Sequence, residues 1–397
     1  MSLGRVIRVG AVVLGIIAVF LGGVAVGGHA EATGLTRLAD PLRGVFLGDS
    51  GELLTEQVLE VLEDEYYVDV DPERLERDSV QAIVDALDDP YTDYLDPDEL
   101  EALRARNDGA YFGVGLQVAQ RDEAVVVTRV FEDGPAARAE VRAGDRVVSV
   151  EGKPTKGREL DAVVSEIRGP EGTTVRIGVA TGTAPVRELE LTRARIRVPS
   201  VASRMETVSG EKVGYVRLGQ FTRGSGEALR EAITSLRDKG ATALVLDLRG
   251  DPGGLVTEAV AVTGAFLPKG AEVFVTEGLH SPREVYRTDT DPVAGDLPVV
   301  VLTDRGSASA SEIVAGALRD ADRATLVGQR TFGKALVQST ALLRDGGALK
   351  LTTARYLTPS GFDLAKRGLA PDVKIADDPA TAPDEVLQRG LSLAAAG

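Results

Sequence analysis

The chain has 397 residues, of which 43% are hydrophobic, and carries a formal net charge of −16. A chain of this length and apolar content is predicted to form two or three domains with cores of their own. The acidic balance, with no basic stripe interleaved with aromatic residues, argues against nucleic acid as a partner. Cysteine is absent, which excludes thiol nucleophiles, disulfides, thiolate metal sites and a lipid-modified cysteine.

The N-terminus carries a membrane-targeting pattern. Arg5 and Arg8 precede the uncharged run of residues 9–28, which is long enough to span a bilayer as a helix. With the arginines on the cytoplasmic side, the rest of the chain is expected outside the cell membrane. Ala30-Glu31-Ala32 resembles a cleavage site. Residues 1–32 are therefore predicted to be a single-pass anchor, the favoured interpretation, or a signal segment whose cleavage would release a secreted protein.

Residues 33–108 are predicted to be a helical region. Apolar residues recur at helical spacing in Leu53–Leu62 and Leu75–Leu87, and a further helix is predicted from Asp96 to Asn107. Between these helices, the segment Leu87–Pro97 is rich in turn-forming residues. We interpret that segment as a structural joint.

Short strand patterns replace the helices in residues 109–197. Apolar, β-branched runs at Ala124–Val130, Gly144–Val150 and Val175–Val179 follow the loop Tyr111–Leu116. Their order resembles a PDZ domain. Such a domain adds an extended peptide to a sheet edge, with loop N–H groups binding the terminal carboxylate. The resemblance implies polypeptide substrates with accessible C-termini, although a scaffold domain that binds nothing is the alternative. The candidate peptide-binding residues are Phe112, Gly113, Val114, Gly115 and Leu116.

Strand and helix patterns alternate in residues 198–376, which predicts an α/β core with crossover connections. In such sheets, sites form at the carboxyl ends of strands. Gly253 and Gly254 follow one predicted strand, and their N–H groups, with that of Ala310, are the candidate oxyanion hole. The patterns are strand Val213–Phe221, helix Gly226–Lys239, strand Ala243–Leu248, helix Leu255–Phe266 and strand Leu349–Tyr356.

A serine lies where a strand is predicted to turn into a helix. The apolar run Leu297–Leu302 reads as a buried strand, and Glu312 follows Ser309 by three residues, as in a capping box. A sharp strand-to-helix turn can expose a nucleophilic hydroxyl beside the first N–H groups of the helix. The alternative is that Ser307, Ser309 and Ser311 only cap the helix.

Few residues could serve as the general base, because the chain has only two histidines, His29 and His280. His280 lies in a loop-like segment, which disfavours a protease of the chymotrypsin type. Lys334, in a glycine-flanked turn 25 residues after Ser309, is the available base. An ordinary lysine pKa is about 10.4, and desolvation can lower it by about 3 to 5. The apolar side chains that would shield the lysine from water are predicted to be a wall formed by Phe332, Leu336 and Val337.

Two motifs together carry a family resemblance. Gly306–Ile313 followed by Phe332–Gln338 resembles the C-terminal processing (tail-specific) proteases, a serine–lysine peptidase family. The resemblance implies an endopeptidase with no metal or cofactor and with an α/β core of the crotonase or Clp-protease type, and the N-terminal segment makes it an extracytoplasmic one. It implies Ser309 as nucleophile, Lys334 as general base and Gln338 as the residue that orients the lysine.

Several features qualify this resemblance. Ala335 stands where the family commonly has glycine, and Asp251 stands where asparagine is usual. Neither departure removes a group that performs the chemistry, and the two are the only hints in favour of an alternative, a catalytically inactive membrane-anchored PDZ adaptor on a degenerate protease core. In a regular strand Lys334 and Gln338 would lie about 13 Å apart, so contact between them requires a local turn. Asp320, about 16 Å from Ser309 along its helix, is interpreted as structural.

Two further expectations concern regulation and assembly. The resemblance implies that the PDZ domain can gate the active site, and Arg168 is a candidate relay of peptide binding. A homo-oligomer is left open. Residues 377–397 are predicted to form an acidic tail that finishes in a helix. The predicted whole is thus a multidomain α/β protein with a membrane helix, a helical segment, a PDZ domain and a peptidase core.

Overall fold

The structure is a computed structural model that describes residues 71–377 and 384–397. The predicted membrane segment, residues 9–28, and the predicted helix Leu53–Leu62 lie outside these residues. Within the described ranges, no helix is both long and apolar enough to cross a bilayer.

The chain divides into two units between Asp88 and Asp89. In the first unit the structure describes helix α1 (Pro72–Asp85). Asp71 caps this helix, and its side chain accepts a hydrogen bond from the Arg74 N–H at 3.1 Å, which satisfies one of the free N–H groups of the first turn. The helix predicted in this region is confirmed, with its start three residues earlier.

Strand β1 (Asp93–Leu95) and helix α2 (Pro97–Asn107) open the second unit. Asp96 and Glu99 close a capping box, because the backbone N–H of each donates to the side chain of the other, at 3.1 and 2.8 Å. The predicted helix and its end at Asn107 are confirmed.

The next part of the chain is a small β-rich domain. Val125, Val147 and Ile177 are at most 1% exposed in its core. The strand order of its larger sheet is β3-β4-β5-β7-β8 with β6 on β5, and β2 pairs with β9. The elements are β2 (Ala110–Gly113), β3 (Leu116–Arg121), β4 (Ala124–Val130), α3 (Pro135–Arg138), β5 (Arg146–Val150), β6 (Lys153–Pro154), α4 (Leu160–Ile167), β7 (Thr174–Ala180), β8 (Arg187–Thr192) and β9 (Ala194–Arg197).

The remaining elements form the α/β core. They are β10 (Val201–Val208), β11 (Glu211–Leu218), α5 (Ser225–Asp238), β12 (Ala243–Asp247), α6 (Val256–Thr263), β13 (Glu272–Glu277), β14 (Glu284–Arg287), β15 (Val299–Thr303), α7 (Ala310–Asp320), β16 (Thr325–Gly328), β17 (Leu336–Leu342), β18 (Ala348–Leu357), β19 (Val373–Lys374) and α8 (Glu385–Ala395). The main sheet has the order β10-β11-β12-β15-β16-β19, parallel from β11 onward.

Helices cover both faces of this sheet. Leu246 of β12 packs in the same cluster as Ile233 of α5 and Ile313 of α7. Val245, which points to the other face, packs in the cluster that contains Leu391 of α8. Every residue of β12 and β15 is therefore buried, which explains why both strands read as continuous apolar runs. The predicted C-terminal helix is confirmed as α8.

A second sheet completes the core, with the order β1-β18-β13-β14 and β17 paired to β18. It carries the Lys334 loop, whereas neighbouring parallel strands β12 and β15 carry the Gly253-Gly254 turn and the Ser309 turn at their carboxyl ends. The mixed α/β fold is as predicted. Helix α6 is shorter than the predicted Leu255–Phe266.

Candidate active site

Ser309 lies at the turn between β15 and α7, as predicted. Its backbone has φ 56° and ψ −116°, and a positive φ is strained for a residue with a side chain. The residue is 8% exposed. Because it directly precedes the first residue of α7, the partly positive end of that helix and its free N–H groups lie beside it.

The three serines of this turn have different hydrogen-bond roles. The Ser307 hydroxyl donates to the Leu248 carbonyl oxygen at 2.7 Å, and the Ser311 hydroxyl donates to the Asp251 carbonyl oxygen at 3.0 Å. Within the described residues the Ser309 hydroxyl donates to no protein group. Its proton is thus available for transfer, which distinguishes Ser309 from its neighbours.

The structure corrects one of the three predicted oxyanion donors. The Gly253 N–H donates to Asp251 Oδ1 at 2.8 Å and is not free. Gly253 instead provides space, since a Cβ atom there would lie 2.8 Å from Ser309 Cβ. In the described part of the chain the N–H groups of Gly254 and Ala310 make no hydrogen bond. These two remain the candidate donors.

Glu312 connects the serine turn to the lysine loop, a role beyond the helix capping that its position in the sequence indicates. Its side chain is fully buried. One oxygen, Oε2, accepts the N–H groups of Ser309 and Lys334 at 3.0 and 2.9 Å. The other, Oε1, accepts the Gly333 N–H at 2.8 Å and the Thr331 hydroxyl. A glutamate inside an otherwise apolar helix face was the signal that could have revealed this role.

Tyr356 of β18 makes a second connection between the same two segments. Its hydroxyl shares its one hydrogen between the carbonyl oxygens of Ser309, at 3.1 Å, and of Lys334. Burial raises the pKa of this phenol well above its ordinary value, so the group stays a donor. No sequence motif singled out Tyr356.

The Lys334 side chain is half-buried. Burial, with the positive charge of Lys350 as a smaller cause, lowers the pKa of its amine, the direction that a general base requires. The predicted apolar wall is partly wrong, because Phe332 is 57% exposed. The aromatic ring beside the amine belongs to Tyr91, at 4.8 Å from Lys334 Nζ to the ring centroid.

Gln338 lies on β17 after a break in the pairing register between Val337 and Gln338. Its Nε2 atom is buried without a hydrogen-bond partner. A local turn at Gly333 does occur, with φ 91°, but no hydrogen bond joins Lys334 to Gln338 among the described residues. The predicted orienting contact is therefore not formed in this structure.

The two departures from the family motif have different consequences. Ala335 is 1% exposed, and its carbonyl oxygen accepts the Tyr356 N–H at 3.0 Å, so the methyl group is accommodated. Asp251 is fully buried with one oxygen, Oδ2, unpaired. This burial raises the pKa of the Asp251 carboxyl to about 7. A titratable group therefore lies beneath the serine turn.

The two remaining residues weighed in the sequence lie away from this chemistry. His280 is exposed between β13 and β14. Asp320 lies at the end of α7, where it accepts the Ser360 N–H at 2.9 Å. The structural role predicted for Asp320 agrees with this contact.

The predicted peptide-binding loop opens into a cavity of about 720 Å³. Phe112, Gly113, Val114 and Leu116 line it. Gly115 does not, because it packs against Gly134, whose Cα would lie 2.9 Å from a Cβ at Gly115.

Arg168 lies at the cavity wall, where its guanidinium group stacks over the Tyr111 ring at 5.1 Å. Helix α2 and residues of the α/β core complete the cavity, which makes it a groove between the β-rich domain and the core.

One wall of the groove connects to the glycine turn beside Ser309. Gln220 and Thr222 line the groove. Between them, the Phe221 N–H donates to the Gly253 carbonyl oxygen at 3.0 Å, and the Phe221 carbonyl oxygen accepts the Leu255 N–H at 2.8 Å. A displacement of this wall would therefore move the turn that carries the Gly254 N–H.

Family models match the two domains. The model of peptidase family S41 matches residues 212–375, and that of the PDZ domain matches residues 126–181. The chain is 34% identical over 322 residues to a probable CtpA-like serine protease of Staphylococcus aureus strain COL, covering 81% of this chain and 64% of the relative. For the corresponding protein of Staphylococcus saprophyticus the values are 35%, 81% and 65%. The chain thus spans about 64% of the length of these curated relatives.

A solved structure supports the same family, and the match covers nearly the full length of the solved chain. The photosystem II D1 C-terminal processing protease is 31% identical, with a TM-score of 0.53, and the match covers 86% of this chain and 97% of that one. The identity, the coverage and the shared fold agree with the serine and lysine motifs. The chain belongs to peptidase family S41, the C-terminal processing proteases, and carries a PDZ domain.

Proposed function

We propose that this chain is a serine endopeptidase that cleaves polypeptides whose C-terminal ends bind in the PDZ groove. The observation that carries the proposal is the geometry at Ser309. A hydroxyl with its proton free lies at a helix N-terminus beside two unused backbone N–H groups. Glu312 connects this turn to the loop of a half-buried lysine.

The reaction follows from these groups. Ser309 Oγ attacks a peptide carbonyl carbon while the neutral Lys334 amine takes the serine proton. The N–H groups of Gly254 and Ala310 stabilise the developing oxyanion, and losing one such donor typically costs about 3 kcal/mol of transition-state stabilisation. Lys334 then protonates the leaving amine, and water releases the acyl group from Ser309. Gln338 orients Lys334 once substrate is bound.

The groove gives the enzyme its substrate class. Gly113 and Val114 line a cavity large enough for an extended chain end. Because the groove wall is bonded to the Gly253-Gly254 turn through Phe221, an occupied groove favours one position of the oxyanion donors. Arg168, which lines the same groove, relays binding from the peptide side.

We also propose that catalysis occurs outside the cytoplasm. The uncharged residues 9–28, with Arg5 and Arg8 before them, support this location. Protease added to intact cells should digest the folded domains, whereas a cytoplasmic marker survives. Protection of these domains until the cells are lysed would contradict the location.

The catalytic proposal is tested with the purified full chain and an unfolded protein substrate. Ser309→Ala and Lys334→Ala are each expected to lower kcat/KM on the order of 10⁴-fold, and His280→Ala serves as the matched control with activity intact. Amidation of the substrate C-terminus should raise KM if the groove binds a carboxylate. Cleavage that survives both active-site substitutions would overturn the assignment. No cleavage by any variant would favour the adaptor alternative.

A further inference from the structure

The neighbours of the Lys334 amine include a residue that no motif singled out. The Tyr91 ring centroid lies 4.8 Å from Lys334 Nζ, within the range of a cation–π interaction. In residues 71–377 and 384–397 no carboxylate forms an ion pair with Lys334, and its side chain makes no hydrogen bond. Within these residues, the ammonium group therefore has the Tyr91 ring as its cation–π partner.

Tyr91 comes from a segment more than two hundred residues before the lysine, and that segment is firmly held. The Tyr91 N–H donates to Asp89 Oδ1 at 3.0 Å, and the Thr92 hydroxyl donates to Asp89 Oδ2 at 2.7 Å. The Thr352 N–H then donates to the Thr92 hydroxyl at 3.1 Å. These bonds fix the Tyr91 backbone to β18.

The lysine is fixed to the same strand. The Tyr356 hydroxyl of β18 donates to the Lys334 carbonyl oxygen, and β17, which begins two residues after Lys334, pairs with β18 along its length. One strand therefore anchors the backbone on both sides of the contact between the ring and the amine.

We propose that Tyr91 is a positioning residue for the general base, and that the face of its ring holds the Lys334 ammonium group in the resting enzyme. The inference rests on the proposed function only in treating Lys334 as the base. The ring face attracts the protonated amine and releases the neutral amine. The segment Leu87–Pro97, interpreted from sequence as a joint, thereby contributes directly to the active site.

The charged and titratable groups around Lys334 determine in which direction the pKa of its amine should change when Tyr91 is replaced. Lys350 of β18 lowers the pKa of the amine, after burial as the larger cause. The Tyr356 phenol and the Glu312 carboxylate contact the Lys334 backbone. The Tyr91 ring opposes burial by favouring the cation. Replacing the ring with an aliphatic side chain keeps an apolar cover and removes this attraction, so the midpoint of Lys334 titration should fall.

The test measures that midpoint without using catalysis. In the full chain carrying Ser309→Ala, the acylation of Lys334 by acetic anhydride is followed against pH by mass spectrometry. Tyr91→Leu is expected to change the ratio of charged to neutral amine about 2- to 5-fold, which lowers the midpoint by about half a pH unit. Tyr91→Phe keeps the ring and should leave the midpoint in place. Phe332→Leu, which removes the exposed ring beside Lys334 in sequence, is the matched control.

The second measurement uses the chain with Ser309 intact. Tyr91→Leu should lower kcat roughly tenfold on the pH plateau, because the amine loses its fixed position, whereas Tyr91→Phe retains activity. Tyr91→Met, with a flexible side chain of similar volume, replaces the leucine variant if that variant fails to fold. A midpoint that stays in place or rises overturns the proposal. A lowered midpoint in a chain without peptidase activity supports the position of Tyr91 and refutes the proposed function instead.

Discussion

The serine turn and the lysine loop are held in different ways, although they meet in one site. In the serine turn, side chains fix the backbone. Asp304 Oδ1 accepts the N–H groups of Gly250, Gly306 and Ser307 at 2.8 to 3.0 Å. In the lysine loop the backbone is fixed through Glu312 and Tyr356, while Lys334 and Gln338 form no side-chain hydrogen bond with described residues.

This difference matches the two tasks that the proposed serine–lysine mechanism requires. Oxyanion donors are effective when they are rigid before the reaction, because no reorganisation is then needed as charge develops. A general base has to meet the nucleophile only when substrate is bound, and catalytic hydrogen bonds often tighten at that stage. The serine half of the site, which is the turn around Ser309, is therefore fixed before substrate binds. The base half, which is the Lys334 and Gln338 side chains, is expected to form its catalytic contacts only when substrate is bound.

Apart from substitutions of Ser309 and Lys334 themselves, Glu312→Gln gives the largest expected effect, since this residue connects the two halves. The glutamine amide keeps one acceptor, so two of the four donors around the side chain lose their partner. We expect kcat to fall on the order of 10²- to 10³-fold and the free energy of unfolding to fall by about 2 to 5 kcal/mol. Steady-state kinetics and denaturant titration measure these two quantities.

Glu258→Gln is the matched control for that substitution. Glu258 accepts the N–H groups of Gly224 and Gly226 at 2.9 and 2.8 Å, a similar pattern away from both loops. It should lose stability and keep kcat. Equal losses of kcat in the two variants would show that Glu312 acts through stability alone and that the halves are not coupled through it.

Gln338→Ala is expected to have a smaller effect, and it sharpens the contrast between the serine half and the base half. Because Gln338 Nε2 is buried without a partner, its removal should not lower the melting temperature. If Gln338 orients Lys334 in the substrate complex, kcat should fall roughly tenfold with KM unchanged. A large loss of stability would mean instead that the amide has a partner in the resting enzyme, and the base half would then be as fixed as the serine half.

Local patterns predicted much of this structure. The buried strand before Asp304, the helix after Ser309 and the capped helix from Asp96 depend on short-range chemistry, such as apolar runs and capping residues, which a sequence displays directly. The serine and lysine positions followed from motifs that are contiguous in the chain.

Contacts between distant segments could not be predicted in the same way. Tyr91 and Tyr356 reach the lysine loop only because β1 and β17 both pair with β18, and strand pairing of this kind is set by tertiary packing. The error at Gly253 has a different origin, since the contact is local: an aspartate two residues earlier takes up its N–H, and a strand or helix pattern does not display the orientation of that side chain.

Asp251→Asn should have the smallest effect on activity and a clear effect on pH dependence. Burial raises the pKa of Asp251 to about 7, above its unfolded value, so the folded chain binds the extra proton between these values. Stability should therefore fall as pH rises toward 7, by about 3 kcal/mol from pH 5 to pH 8, and the asparagine variant should lack this slope. Denaturant titrations of both proteins at these pH values decide the matter. A parallel decline in the variant would place the titrating group elsewhere, and the serine half would then be insensitive to pH across this range.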